Sequence, residues 1–328
     1  MPKLNLTKIP GARRKPLPDF VAPQLATLER TPPDGNQWFH ELKFDGYRML
    51  AHLNKGKVVL WSRNRKDWTG KFPGVVKAVK SFPATSAILD GEIVAVDAKG
   101  RPSFQKLQQS IKTGSTSLLY QIFDVIYLDG FDLTRSTLRV RKAVLSQLFT
   151  KVSESSSLRY SDHVEANGKA FFNQACKFGV EGIVSKLADS YYESTRTRNW
   201  LKVKCNQRQE FVIAGYVPSK KGFPGFGALV LGVYDMGKLV CAGRVGTGFT
   251  IKQRLDLQKQ LDKIARATSP FETLPKDPGL RGAVWTDPKL VAEVEFSEWT
   301  EDGSIRHPSF QGLREDKSAR EVRRELPA

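Results

Sequence analysis

The chain has 328 residues, with 52 Lys and Arg against 34 Asp and Glu, a formal net charge of +18. Hydrophobic residues at 40% exclude a disordered chain, and the lack of any apolar run of about 18 residues excludes an α-helical membrane span. The positive excess points to an anionic partner, nucleic acid above all; the plainer reading is a merely basic globular protein.

The first 20 residues are rich in proline and basic side chains, contain no signal-type apolar segment, and read as a basic arm without regular structure. A short amphipathic stretch follows near residues 20–28. Residues 38–61 read as strand, turn, strand, with Asp45-Gly46 and Lys55-Gly56 as turn signals. Residues 73–80 suit a short helix. Residues 87–96 form a β-rich run broken by Asp90-Gly91, and 119–127 another strand. The apolar spacing predicts helices over 138–149 and 166–178, the second capped by Gly179. Residues 180–186 and 200–204 are strands.

After about Asn206 the texture changes to short β runs (211–217, 228–234 and 239–245) joined by glycine-rich turns. One amphipathic helix is expected over 251–264. Leu290, Ala292, Val294 and Phe296 alternate with polar neighbours as in a half-buried strand. This pattern suggests a small OB-type barrel over 206–328, behind a larger domain over 21–205. Residues 1–15 and 194–209 carry basic side chains and no acid, so they read as phosphate-facing blocks or flexible arms. Cys176, Cys205 and Cys241 show neither CxxC spacing nor a disulfide framework, and read as free thiols of a reducing cytoplasm.

One short pattern, Lys43-Phe44-Asp45-Gly46-Tyr47-Arg48, has two readings. Asp-Gly pairs also occur at 90, 129 and 302, so a hairpin turn is the default. The alternative is a lysine nucleophile beside a tight turn. The motifs that follow in order favour the nucleophile: Ser62-Arg63-Asn64, Asp90-Gly91-Glu92, Phe123-Asp124, Glu181-Gly182-Ile183-Val184-Ser185-Lys186, Trp200-Leu201-Lys202-Val203-Lys204 and Arg314-Glu315-Asp316-Lys317.

In this order the set resembles the covalent nucleotidyltransferase superfamily of ATP-dependent DNA ligases, RNA ligases and mRNA capping enzymes. Glu41 to Arg48, Glu293 to Phe296 and Arg306 to Lys317 resemble more closely the ligase module of bacterial DNA ligase D, which repairs double-strand breaks by non-homologous end joining. Thr195 departs from that pattern, where relatives often carry Gly. With 42 residues ahead of Lys43, no counterpart of the helical DNA-binding domain of eukaryotic ligases is expected within these 328 residues, nor are the companion polymerase and phosphoesterase modules.

The resemblance implies an α+β fold, in which a nucleotidyltransferase (adenylation) domain of antiparallel sheets and helices precedes an OB-fold barrel. It implies that Lys43 attacks the α-phosphate of ATP, carries AMP covalently and passes it to a DNA 5′-phosphate, which the 3′-hydroxyl then attacks. Mg2+ or Mn2+ is implied, with Glu92 and Glu181 as its carboxylates; each acid alone reads equally as a solvated strand edge. Asp45 is assigned to orient the 3′-hydroxyl or hold a metal-bound water. Phe123 stacks on adenine, or is simply core. Glu41 accepts from the adenine amine, and Arg48, Arg63 and Glu92 reach ribose or phosphate. Lys186, Lys202 and Lys204 face the α-phosphate. Arg314 and Lys317, with Asp316, close over the pyrophosphate by a hinge around 204–208.

The expected substrate is nicked or broken duplex DNA, sealed by a monomer in the bacterial cytoplasm at the nucleoid, with no membrane and with bacterial Ku as a candidate partner. An RNA ligase or GTP-dependent capping-type enzyme is the alternative within the superfamily. An inactive basic nucleic-acid-binding scaffold is the alternative outside it.

Overall fold

The computed structural model describes residues 4–97, 100, 102–113, 118–219, 224–273 and 277–327. Lys3 of the basic block and residues 220–223 of one glycine-rich turn lie outside them. The chain divides into two compact units, Met1–Cys205 with Pro327–Ala328, and Asn206–Leu326.

Two sheets build the first unit. One runs Arg13–Arg14, Phe131–Asp132, Leu119–Leu128, Ser86–Val94, Tyr47–Asn54 and Lys57–Ser62, with Leu158–Tyr160 added in parallel to Leu119–Leu128. The other runs Val164–Glu165, Trp38–Lys43, Gly182–Leu187, Arg196–Lys204 and Leu25–Leu28, its last pair parallel. Helices Pro73–Lys80, Phe104–Thr113 and Leu138–Phe149 bury Val75, Val79, Leu107, Leu145 and other apolar side chains against one face of the first sheet. Leu50, Ile88 and Ile126 of that sheet share a second buried cluster with Trp200 of the other, so the two sheets pack together. Helix Gly168–Phe178 covers the second sheet through Ala175, against Ile183 and Val203, and ends on Gly179 in the left-handed conformation, as expected from sequence.

One expected turn forms and others are corrected. Lys55-Gly56 is a two-residue hairpin turn, with Asn54 paired to Lys57 and positive φ at both turn residues. Asp45-Gly46 is not one, because the strands on either side of it belong to different sheets and the segment carries the chain between them. Asp90-Gly91 does not end the strand, which runs on from Ser86 to Val94, but the pairing with Leu119–Leu128 shifts register between these two residues. Glycine is needed there because a Cβ at 91 would approach the Gln121 carbonyl and the Tyr120 ring to 2.6 Å. Helix Phe104–Thr113 has no counterpart among the elements expected from sequence.

The basic arm is structured from residue 4 onward. Leu6–Lys8 forms a 3-10 turn, and Leu4, Leu6 and Ile9 pack on the main core. Arg13–Arg14 adds a short strand beside Phe131–Asp132, and Lys15 pairs with Asp132 at 2.8 Å. The apolar residues interleaved with the basic ones dock the segment, while Arg13 and Arg14 remain exposed.

The cysteine expectation is also corrected. Cys176 and Cys205, 29 residues apart, form a disulfide, and only Cys241 is free. Helix Gly168–Phe178 delivers the chain to strand Gly182–Leu187, which pairs with Arg196–Lys204 so that Gly182 lies opposite Lys204. That antiparallel return sets Cys205 beside the end of the helix, and its N–H donates to Glu181 O at 3.0 Å.

The second unit is the OB-fold barrel. The long strand Gln207–Pro218 pairs on one edge with Phe226–Asp235, and on the other with Val291–Phe296 and then Val284–Thr286. Lys238–Val245 follows Phe226–Asp235, Ser309–Leu313 follows Val291–Phe296, and a bridge from Thr247 to Ser309 joins the two ends. Helix Ile251–Asp262 starts on a capping box formed by Thr250 and Gln253 and buries Leu257 and Leu261.

Candidate active site

Strand register assembles the site. In the second sheet Gly182 stands opposite Lys43 and Lys204, Val184 opposite Glu41 and Lys202, and Lys186 opposite Phe39 and Trp200. Directly opposed residues share a sheet face, and side chains alternate along each strand. Glu41, Lys43, Lys186, Lys202 and Lys204 therefore project from one face, with Trp200. In the first sheet Arg48, Glu92 and Gln121 form another row of opposed residues.

Lys43 Nζ donates to Glu181 Oε2 at 2.5 Å; both side chains are largely buried. Glu181 precedes Gly182, whose φ is +151° and whose hypothetical Cβ would lie 2.0 Å from Val203 O. A side chain there would force the neighbouring strand away, so glycine sets how closely Glu181 is presented. Asp45, Glu92, Lys202 and Lys204 are partly buried on or beside the same strands.

Glu41 is 2% exposed, between two lysines. Its Oε2 accepts from Lys186 at 2.8 Å and from Ser161 at 3.3 Å, while Oε1 lies 3.1 Å from Lys142 Nζ and accepts no directed hydrogen bond. Burial opposes the carboxylate charge, but Lys142 and Lys186 outweigh it and hold the carboxyl below its ordinary range. Burial also lowers Lys186, against Glu41. The Lys186 ammonium lies 4.2 Å from the Phe123 ring centroid and 4.3 Å from that of Trp200. Phe123 is partly buried and packs against Trp200 with ring centroids 6.1 Å apart and planes at 81°.

Arg48 lies 5.3 Å from the Phe123 ring centroid and 5.5 Å from that of Trp200, but is bound to protein. Its guanidinium meets Asp90 through Nε and Nη2 at 2.9 and 2.6 Å, and Nη1 donates to Gln24 O at 2.7 Å. Burial disfavours its charge, and Asp90 more than restores it. Tyr192 donates to Asp90 Oδ2 at 2.7 Å and accepts from Gln24 N–H. Arg63 lies in the turn after strand Lys57–Ser62.

Arg314 and Lys317 belong to the barrel and are engaged there. Arg314 forms a two-pronged contact with Asp316 at 2.9 and 2.8 Å and approaches Glu293 at 3.4 Å, and Lys317 pairs with Glu210.

The sequence reading missed Lys142, Asp90 as partner of Arg48, Tyr192 and Ser161. Asp90 stood within a quoted motif. Lys142 gave no signal, being one polar position in an amphipathic helix. A cavity of about 410 Å3, lined by Phe44, Gln121, Tyr160, Ser161 and His163 among others, includes none of the lysines above.

The family model of the ATP dependent DNA ligase domain matches residues 23–204, and that of the ATP dependent DNA ligase C terminal region matches 223–317. The chain is 39% identical over 319 residues to the multifunctional non-homologous end joining protein LigD of Pseudomonas aeruginosa, covering 96% of this chain and 38% of that protein. It is 36% identical over 309 residues to the protein of that name from Mycolicibacterium smegmatis, covering 93% and 40%. A solved mycobacterial DNA ligase D complexed with ATP and MES is 34% identical, with TM-score 0.69, covering 93% of this chain and 98% of that one. The chain spans about two fifths of the length of the curated LigD relatives.

Proposed function

This chain belongs to the ATP-dependent DNA ligase family, and from that premise we propose that it seals 3′-hydroxyl/5′-phosphate breaks in duplex DNA through an adenylate carried on Lys43. The observation that carries the proposal is the single sheet face bearing Glu41, Lys43, Lys186, Lys202 and Lys204, with Glu181 against Lys43.

In the first step the Lys43 amine attacks the α-phosphorus of ATP. A nitrogen–phosphorus bond forms, the bond to pyrophosphate breaks, and the proton leaves Nζ toward Glu181 beside it. In the second, an oxygen of the DNA 5′-phosphate attacks the same phosphorus and Nζ leaves, regaining a proton. In the third, the 3′-hydroxyl attacks the activated 5′-phosphorus and AMP departs. Lys202 and Lys204 oppose the charge that builds on the α-phosphate, Phe123 offers its ring to adenine, and Glu41 accepts from the adenine amine. Asp45 serves the 3′-hydroxyl, and Arg48, Arg63 and Glu92 serve the ribose and phosphates.

Among the described residues no group of three or more His, Cys, Asp or Glu is assembled. Mg2+ or Mn2+ needs only one or two protein carboxylates, because phosphate oxygens and water complete its shell. Glu92 and Glu181 are the carboxylates that would hold it, and it would offset phosphate charge. Arg314 and Lys317 are proposed to meet the pyrophosphate, which requires each to exchange its barrel acid for phosphate. We place the reaction in bacterial non-homologous end joining at the nucleoid, by a monomer with bacterial Ku as partner; the LigD relatives' names support the end-joining context.

The test is incubation with α-labelled ATP or GTP and Mg2+, then denaturing electrophoresis and a nick-sealing assay on DNA and RNA duplexes. Label from ATP, lost in Lys43→Ala, with sealing of nicked DNA is expected. Label from GTP alone selects a capping-type enzyme, sealing of RNA alone an RNA ligase, and no label with either nucleotide a binding scaffold.

A further inference from the structure

Glu41, Lys142 and Lys186 form a buried cluster of net charge +1, each side chain 2% exposed. One lysine would neutralise the acid. A second buried ammonium is costly and needs a reason. Lys142 comes from helix Leu138–Phe149, outside every sequence motif, and shares that helix's buried face with Leu138, Arg141 and Leu145. Its Nζ is fixed on three sides: it donates to Ser161 O at 2.5 Å, lies 3.1 Å from Glu41 Oε1 and stands 4.5 Å from the Tyr160 ring centroid. Lys186, by contrast, sits on the strand that follows Glu181, between the rings of Phe123 and Trp200. If Lys186 turns to the phosphates of ATP, Glu41 keeps a counterion only because Lys142 stays.

We propose that Lys142 is a positioning residue for base selection, the resident partner that holds the Glu41 carboxylate ionised and in a fixed orientation for the exocyclic amine of adenine while Lys186 serves the nucleotide phosphates. The inference rests on the reading of Glu41 as the group that meets the base. An ionised carboxylate only accepts hydrogen bonds, so it welcomes the amine of adenine and opposes the carbonyl that guanine carries at the same position. A carboxylate free to rotate or to take up a proton would lose that discrimination.

The experiment compares Lys43 labelling from ATP and from GTP, as kcat and KM, in wild type, Lys142→Met, Lys142→Gln and the double variant Glu41→Gln/Lys142→Met. Deleting Lys142 alone leaves a balanced Glu41–Lys186 pair, and Lys142→Gln retains a donor for Ser161 O, so a folded single variant is in hand. The expected result is a rise of about tenfold in KM for ATP with kcat changed much less, and an ATP-over-GTP preference reduced by about tenfold, as for one charge-assisted contact. The double variant loses no more preference than Lys142→Met, because the two residues act as one unit. If both single variants keep the wild-type preference and the double variant loses it, Lys142 has no part in base selection although Glu41 does. If the double variant also keeps it, the reading of Glu41 fails and the inference with it. A general fall in kcat with the preference unchanged marks Lys142 as merely structural and overturns the proposal.

Discussion

Lys43 Nζ and Glu181 Oε2 lie 2.5 Å apart, although 138 residues separate them in the chain. The contact exists because strand Trp38–Lys43 runs antiparallel to Gly182–Leu187 with Lys43 opposite Gly182. Lys43→Arg is expected to abolish covalent labelling by ATP. Glu181→Gln, which keeps the shape and removes the charge, should slow labelling by about 10- to 100-fold, the range of one charge-assisted hydrogen bond. Single-turnover labelling measures both, and an unchanged rate in Glu181→Gln would remove Glu181 from the first step.

Gly182→Ala should both destabilise the protein and disturb the site. Its methyl group would meet Val203 O at 2.0 Å, on backbone at φ +151°. The expected loss is about 2–4 kcal/mol, typical of strain at a special backbone position combined with overpacking. Urea unfolding reads the stability and ATP labelling reads the site; an unchanged midpoint would contradict the assigned crowding.

The buried carboxylate of Glu41 predicts a particular dependence on pH. Its folded value is lowered from the ordinary 4.5, against burial, by Lys142 and Lys186. A lowered acid contributes stability that is fully present above its unfolded value and disappears as pH falls through the folded one. Thermal unfolding of wild type and Glu41→Gln/Lys142→Met should therefore differ by a constant amount near neutrality and converge as pH falls below about 4.5. A gap that is unchanged at acid pH would show that the carboxylate charge contributes nothing.

The disulfide between Cys176 and Cys205 closes a loop across a sequence separation of 29. Peptide mapping without reductant should recover the linked pair, with Cys241 alkylated. Reduction, or Cys176→Ser, is expected to cost about 3–4 kcal/mol from the freed unfolded chain. Recovery of both cysteines alkylated in the unreduced protein would contradict the linkage.

Removing residues 1–16 should lower the melting temperature, because Leu4, Leu6 and Ile9 pack on the core and the Lys15 carbonyl accepts from Tyr127 Oη. A loose arm would leave it unchanged. Calorimetry of the truncated and full chains decides.

Much of the site was legible because its chemistry is carried by residue types in a fixed order. Lys43, Glu92, Phe123, Glu181, Lys186, Lys202 and Lys204 were all named from motifs. Local structure was equally open where short-range rules govern it: helix Leu138–Phe149 forms over its expected span, and Gly179 caps helix Gly168–Phe178. The same rules failed at Asp45-Gly46 and Asp90-Gly91. A turn-forming dipeptide reports backbone permissiveness, which a crossing between sheets or a tight approach to Tyr120 uses just as well.

The sequence by itself determined the class of chemistry, the order of elements and the positive field, since each follows from residue identity or near-neighbour spacing. Only the tertiary structure decided which charges are engaged. Arg48 is bound to Asp90, Arg314 to Asp316, and Lys15 to Asp132, so these basic side chains face protein acids, and the net excess of +18 is carried by others. Tertiary structure also decided that Lys142 stands at Glu41 and that Cys176 meets Cys205. Those pairings depend on strand register and helix docking across tens of residues, where the spacing of side chains along the chain no longer sets their distance in space.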